Sequence, residues 1–167
     1  LNIRFTVTAY VQSLGASREA YEERLGKRDM NMKPEEVADY FADALEAGIF
    51  LRDKESSYQS GKTLRKVLEY IDENYSNEDL SLNHVAEQVK VSANYLSAIF
   101  SQSMQKTFIE YVTGKRIEKA KKLLRTTDRS SGEIAAEVGY KDPHYFSFVF
   151  KKTQGVSPRE YRGGKKG

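Results

Sequence analysis

The sequence contains no cysteine and no tryptophan, only three prolines and two histidines, and no long apolar run. The lack of cysteine excludes disulfides, thiolate metal sites and cysteine nucleophiles, and favours a reducing compartment, which we expect to be the cytoplasm. His84 and His144 lack the spacing of a zinc site, so we expect neither metal nor cofactor. No apolar stretch approaches the roughly 18 residues of a membrane span, so we expect no membrane contact from this chain.

Charge divides the chain into two unequal parts. Residues 1–60 contain 8 basic and 11 acidic side chains, whereas residues 61–167 contain 19 and 13. A basic part favours a polyanionic partner, although many solvated surfaces are also basic. We expect two small domains, with residues 1–60 as a helical linker or regulatory segment and residues 61–163 as the basic domain. Because no signal-like leader follows Leu1, we expect this chain to be a piece of a longer protein with a domain upstream.

Hydrophobic periodicity predicts an all-α chain, since apolar residues recur at spacings of three and four and no alternating strand pattern competes. In the first part, helices are predicted over residues 5–14, over residues 17–25 and from Pro34 to about Arg52. Polar residues 53–61 are expected to end the third helix, and we place the domain boundary there. The face of the third helix that should be buried comprises Val37, Tyr40, Phe41, Ala44, Leu45 and Ile49.

A new helix is predicted from Lys62, ending where residues 74–79 break the pattern. Its apolar face comprises Leu64, Val67, Leu68 and Ile71.

The basic domain contains an internal repeat. Residues 81–100 (SLNHVAEQVKVSANYLSAIF) and 130–150 (SSGEIAAEVGYKDPHYFSFVF) share one plan, in a register of 49 residues that becomes 50 after one extra residue in the second turn. The matched pairs are Ser81 and Ser130, Val85 and Ile134, Ala86 and Ala135, Val89 and Val138, Ser92 and Asp142, Tyr95 and Tyr145, Leu96 and Phe146, Ser97 and Ser147, Ile99 and Val149, and Phe100 and Phe150. Each copy has the spacing of a helix-turn-helix unit, over residues 81–103 and 130–153.

Capping residues support both units. Ser130 with Glu133 predicts a capping box, whereas Ser81 meets a histidine at the equivalent position and has only half of one. Ser92 and Asp142 are suited to cap the second helices. In a helix-turn-helix the second helix enters the major groove of DNA. The plainer interpretation, a pair of helical hairpins without DNA binding, leaves the basic charge and the capped second helices unexplained.

A long helix is predicted between the units, over residues 107–125, with an apolar face of Ile109, Val112, Ile117, Ala120 and Leu124. At 1.5 Å per residue it would be a rod of roughly 25 Å, which could hold two recognition helices about one DNA turn apart. Its other side is basic, and we expect part of that charge to meet phosphate and the rest to be solvated.

The segments RIEKAKKLL (residues 116–124) and EIAAEVGYKDPHYFSFVFKKTQGVSPREYR (residues 133–162) closely resemble the AraC/XylS family of bacterial transcription regulators. The resemblance covers roughly Lys62 to Arg162. It implies a seven-helix tandem helix-turn-helix (homeodomain-like) domain that binds adjacent major grooves of promoter or operator DNA. It also implies RNA polymerase as a partner, and a homodimer formed through an upstream domain or residues 1–60. More weakly, residues 1–60 resemble the segment before this domain in AraC-type two-component response regulators.

The resemblance also implies the DNA-contacting residues. Base edges would be contacted by Asn94, Ser97 and Ala98 of the first recognition helix, and by Pro143, His144, Ser147 and Phe148 of the second. Phosphates would be contacted by Ser92, Lys106, Arg116, Lys141, Lys151 and Lys152. Helical spacing agrees, because positions 94, 97, 98 and 101 share one face, as do positions 144, 147, 148 and 151. Tyr95 and Tyr145 are expected in the core or as backbone anchors.

The sequence departs from its relatives at Ala98 and Phe148, where many members of the family have arginine. Arginine is the commonest reader of guanine, so we expect a preference for A·T-rich sites, with Asn94 reading adenine and Ala98 or Phe148 contacting thymine methyl groups. Phe148 could equally pack against a neighbouring helix. Two other functions remain open: a DNA-repair enzyme joined to such a domain, which the lack of cysteine opposes, and a protein-interaction module whose helix-turn-helix units have degenerated.

Overall fold

The computed structural model describes residues 9, 12–13, 18–25 and 34–164. In these ranges every regular element is an α-helix, so the all-α prediction is confirmed. The helices are α1 (Arg18–Leu25), α2 (Pro34–Asn74), α3 (Leu82–Gln88), α4 (Ala93–Met104), α5 (Phe108–Thr126), α6 (Ser131–Glu137), α7 (Pro143–Gln154) and α8 (Pro158–Arg162). None of these helices combines the length and the apolar character needed to cross a membrane.

The chain divides into two compact units, Leu1–Lys62 and Thr63–Gly167, and the division falls within α2. The expected end of a helix at residues 53–61 is therefore wrong, because α2 continues through them. Those residues are polar but include no proline, and at Gly61 an added Cβ would meet nothing within 4 Å. A solvated stretch with no backbone obstacle can remain helical, so polarity alone did not mark a helix end.

In the first unit, α1 confirms the helix predicted over residues 17–25, while most of residues 5–14 lie outside the described residues. Tyr21 of α1 and Tyr40 and Ala44 of α2 are buried. The predicted burial of Leu45 and Ile49 is wrong, because they are 44% and 47% exposed. The side chains of the other two predicted members, residues 37 and 41, also lie outside the description.

The second unit is built around two hydrophobic cores. The first core combines the end of α2, where Val67 and Ile71 are fully buried, with α3, α4 and the start of α5. The second core combines the remainder of α5 with α6 and α7, and Tyr161 of α8 packs against it. The face predicted for the helix after Lys62 is confirmed, since Leu64 and Leu68 also pack on the first core.

Helix α5 serves both cores. Phe108 and Val112 belong to the first core, and Ile117, Ala120, Leu123 and Leu124 belong to the second. Its start is fixed by a capping box, in which Thr107 N–H donates to the Glu110 carboxylate over 2.8 Å. Ile109, predicted on the buried face, is instead 74% exposed. With 19 residues, α5 is about 28 Å long.

The sequence repeat is reproduced by the helices. Helices α3 and α6 begin and end 49 residues apart, and α4 and α7 begin and end 50 residues apart. The predicted caps are also present: Ser92 accepts from Tyr95 N–H, Asp142 accepts from His144 N–H, and Ser130 forms the full capping box with Glu133. Ser81 accepts only from His84 N–H. Two backbones of the same kind therefore arise from two different sets of side chains.

Candidate nucleic-acid interface

Helix α4 presents a polar face to solvent. Asn94, Ser97 and Ala98 are exposed near its N-terminal end, whereas Leu96, Ile99 and Phe100 are buried on the opposite face. The cap at Ser92 fixes where the helix begins, with its Oγ atom 3.2 Å from the amide nitrogen of Tyr95. The three residues predicted to contact bases in the first unit therefore share one accessible surface.

Helix α7 presents the matching face in the second unit. Pro143, His144 and Phe148 are exposed, and Ser147 is half-buried with its hydroxyl donating to the Pro143 carbonyl oxygen over 2.9 Å. Phe146 is fully buried beneath this face. Because proline lacks an N–H, its place as the first residue of α7 removes one of the donors that a helix start leaves without a partner.

An aromatic pair stands on the exposed face of α7. The rings of Tyr145 and Phe148 are stacked with their centroids 6.4 Å apart, and the two side chains are 57% and 61% exposed. Phe148 is therefore not buried against a neighbouring helix, which was the other interpretation of this residue. Tyr145 and Tyr95 are both exposed, so the expected core position is wrong, while the role of backbone anchor stays a prediction. The repeat could not show this, because it aligns these tyrosines without indicating which face of the helix they occupy.

Cations with open surroundings flank these faces. Lys106 lies between α4 and α5, and Lys151 and Lys152 lie in the last turns of α7, all of them exposed. Within the described residues none of these three forms an ion pair. Ser92 is exposed as well, although its hydroxyl already serves as a cap. These side chains can approach a phosphate without first giving up an ionic partner.

Arg116 and Lys141, both predicted to contact phosphate, also bond to groups within the protein. The guanidinium of Arg116 donates to the backbone carbonyl oxygens of Tyr75 and Asn77 over 2.7 and 2.8 Å. Lys141 Nζ lies 2.7 Å from a carboxylate oxygen of Asp79, which raises the pKa of Lys141 and lowers that of Asp79. Spacing along the chain carried no sign of these partners, and phosphate contact by Arg116 and Lys141 stays a prediction.

Lys115 of α5 is engaged in the same way. Its Nζ atom lies 2.7 Å from a carboxylate oxygen of Asp72 near the end of α2, and this hydrogen bond raises the pKa of Lys115. Lys115 and Arg116, near the centre of α5, therefore both connect α5 to the end of α2 and the segment after it.

The second unit matches known proteins in sequence and in structure. Residues 85–164 match the family model described as "Helix-turn-helix domain". The C-terminal domain of AraT, a response regulator from Geobacillus stearothermophilus, is 44% identical and superposes with a TM-score of 0.61 over 62% of this chain and 85% of that one. The chain belongs to the AraC/XylS family. This family consists of DNA-binding transcription regulators rather than enzymes, and the resemblance drawn from residues 116–162 is confirmed.

Two curated relatives extend the comparison of this AraC/XylS chain. The melibiose operon regulatory protein of Escherichia coli K12 is 41% identical over 97 residues, which are 58% of this chain and 32% of that protein. The uncharacterized transcriptional regulatory protein YesN of Bacillus subtilis is 34% identical in an alignment of 144 positions that covers 77% of this chain and 39% of that protein. The chain thus spans between 32% and 39% of the length of these two relatives.

Proposed function

We propose that this chain binds double-stranded DNA in a sequence-specific manner, with α4 and α7 entering successive major grooves, as the output part of a two-component response regulator in a bacterial cytoplasm. The observation that carries this proposal is the pair of repeat-related helices, each capped at its start and each exposing its N-terminal face. Both helices are held on α5, whose length of about 28 Å approaches the roughly 34 Å of one DNA turn.

The upstream part of the proposal is supported by the relatives. AraT is a response regulator, and the match to YesN covers more of this chain than the second unit alone. We propose a phosphoacceptor domain before Leu1, RNA polymerase as a further partner, and a homodimer formed through that domain or through residues 1–60. Residues 1–60 would then link or dimerise, and residues 61–163 would bind DNA.

The two units are proposed to contribute unequally. Base edges would be contacted by Asn94, Ser97 and Ala98 in the first unit and by Pro143, His144, Ser147 and Phe148 in the second. Phosphates would be contacted by Ser92, Lys106, Arg116, Lys141, Lys151 and Lys152. Lys151 and Lys152 of the second helix-turn-helix have no ionic partner among the described residues, so we expect that helix-turn-helix to provide most of the affinity.

One observation favours a second candidate function, a protein-interaction module. The exposed face of α4, at positions 94, 97, 98 and 101, has no lysine or arginine, which is unusual for a surface that faces a polyanion. In that case the helix-turn-helix units would be scaffolds for a protein partner.

A gel-shift experiment separates the two functions. The chain is titrated against fragmented bacterial genomic DNA between low and moderate salt, and then used to select duplexes from a random library. If the chain binds DNA, the fraction of DNA shifted in the gel should fall steeply as salt rises. The selected duplexes should contain two half-sites about one turn apart and be rich in A·T pairs. No retention at low salt supports the interaction module. Half-sites centred on guanine contradict the expected A·T preference.

A further inference from the structure

The two hydrophobic cores of residues 63–167 are connected along the chain by α5. Phe108 and Val112 anchor α5 in the first core, and Ile117 is the next buried residue, in the second core. Gly114 lies between these anchors, and an added Cβ there would meet nothing within 4 Å. A glycine inside a helix weakens it. Helix α5 is therefore weakest where it passes from one core to the other, and a second connection there would limit its bending.

A second connection runs through the segment after α2. Tyr75 packs against the first core, and the backbone carbonyl oxygens of Tyr75 and Asn77 accept both hydrogen bonds of Arg116. Because these acceptors are main-chain atoms, their positions are set by the backbone that follows α2 and do not depend on a side-chain rotamer. The planar guanidinium donates from Nε and Nη2 at once, which fixes direction as well as distance.

The turn between α6 and α7, in the second helix-turn-helix, packs against the same segment. Gly139 has a φ of +95°, and an added Cβ would lie 2.8 Å from the carbonyl oxygen of Ser76. The guanidinium carbon of Arg116 lies 5.2 Å from the centre of the Tyr140 ring, and Lys141 is paired with Asp79. We call this set of contacts, between residues 75–79 on one side and Arg116 and residues 139–141 on the other, the interunit clamp.

We propose that Arg116 is a positioning residue that fixes the angle between α4 and α7 through the interunit clamp, and thereby sets the spacing of half-sites that the protein accepts. This proposal rests on the proposed function, because spacing has meaning only if both helices read DNA. Each inserted base pair turns the second half-site by about 34° and moves it by about 3.4 Å. A clamped pair of helices cannot follow that change, whereas a hinged pair can.

The first experiment measures the clamp without DNA. The chain has no cysteine, so Gln102→Cys on α4 and Arg159→Cys on α8 accept spin labels at those two positions alone. Pulsed electron paramagnetic resonance should give one narrow distribution of the distance between the two labels when Arg116 is present. Arg116→Gln should give a clearly broader one. Lys122→Gln, which removes one positive charge from the same helix, should keep the narrow distribution.

The second experiment measures spacing on DNA. A duplex selected by the chain from a random library is remade with one base pair inserted or removed between the half-sites. We expect the unmodified chain and Lys122→Gln to lose about tenfold or more in affinity per step, comparable to one mismatched base pair. Arg116→Gln should lose less than about threefold, on the same scale. Arg116→Lys, which keeps the charge without the fork of donors, should lie between them.

The outcomes separate the two proposals. An unchanged distance distribution in Arg116→Gln, with native helix content by circular dichroism, overturns the clamp whatever the DNA result. An unchanged spacing profile in that variant also overturns it. Selected duplexes with a single half-site instead overturn the binding of successive grooves, and the distance measurement then still decides whether Arg116 holds the units.

Discussion

The rings of Tyr145 and Phe148 lie stacked on α7, with their centroids 6.4 Å apart and their planes inclined by 26°. Both side chains are more than half exposed, so the pair adds little apolar burial to the fold. Exposed apolar surface next to polar residues at the start of a recognition helix is suited to thymine methyl groups in a major groove. Folding and DNA binding should therefore respond differently when this pair is changed.

Phe148→Ala should weaken DNA binding and leave stability nearly unchanged. We expect affinity for a selected duplex to fall by about tenfold, the scale of one lost base contact. The free energy of unfolding should change by no more than about 0.5 kcal/mol, because the ring is exposed. Fluorescence anisotropy and urea unfolding measure the two quantities. Ile109→Ala, which removes another exposed apolar side chain, is the control and should alter neither. A large loss of stability in Phe148→Ala would show that the ring supports the fold.

Replacing both Lys151 and Lys152 by glutamine should weaken binding to all sequences by a similar factor. These lysines are exposed at the end of α7, and neither has an ionic partner among the described residues. If each neutralises one phosphate, the slope of log affinity against log salt should become shallower by about 1.8. The control is Arg65→Gln with Lys66→Gln on α2, which removes the same charge elsewhere. An unchanged slope in the α7 variant would exclude phosphate contact by these residues.

Glu133 should make stability dependent on pH in the acid range. Its carboxylate accepts from Ser130 N–H over 2.7 Å, and the capping box with Ser130 lowers the pKa of Glu133. The folded-state pKa lies below the unfolded value of about 4.3, so the box stabilises the fold above that pH and this contribution is lost as pH falls through the folded pKa. Urea unfolding at a series of pH values should give a flatter curve for Glu133→Gln.

The first helix-turn-helix provides the control for that measurement. Ser81 caps α3 without a carboxylate partner, so Ser81→Ala should cost about 1 kcal/mol and leave the pH dependence as it was. If Glu133→Gln follows the same acid dependence as the unmodified chain, the box does not carry it.

Lys90→Gly should stabilise the protein. Lys90 has a φ of +59°, and its counterpart in the repeat, Gly139, has +95°. A side chain in the left-handed region costs roughly 1–2 kcal/mol, and glycine removes this cost. Part of the gain is offset because glycine increases the conformational entropy of the unfolded chain. We expect a net gain of about 0.5–1 kcal/mol in thermal or urea unfolding. Lys90→Ala keeps the Cβ and should show no such gain; an equal gain there would point to the lysine side chain instead of the backbone.

The helical units of this fold could be predicted because their signals are local. Ser92, Ser130 and Asp142 mark helix starts through hydrogen bonds within three residues, and the spacing of apolar residues indicates most of those that face each core. The candidate site followed for the same reason, since Asn94 and His144 lie opposite buried positions on a helix of known period. The continuation of α2 through residues 53–61 could not be predicted, because a polar stretch without proline suits both a helix and a linker.

The sequence by itself determined the all-α class, the two repeated units, their caps and the family to which the chain belongs. All of these depend on residue type and spacing over a few turns of helix. Only the tertiary structure decided which cations are open to DNA and which hold the protein together. Arg116 and Lys151 look alike in the sequence, but the acceptor of Arg116 is a carbonyl oxygen 41 residues earlier in the chain. No local pattern encodes that distance, because it exists only once the two cores have packed on α5.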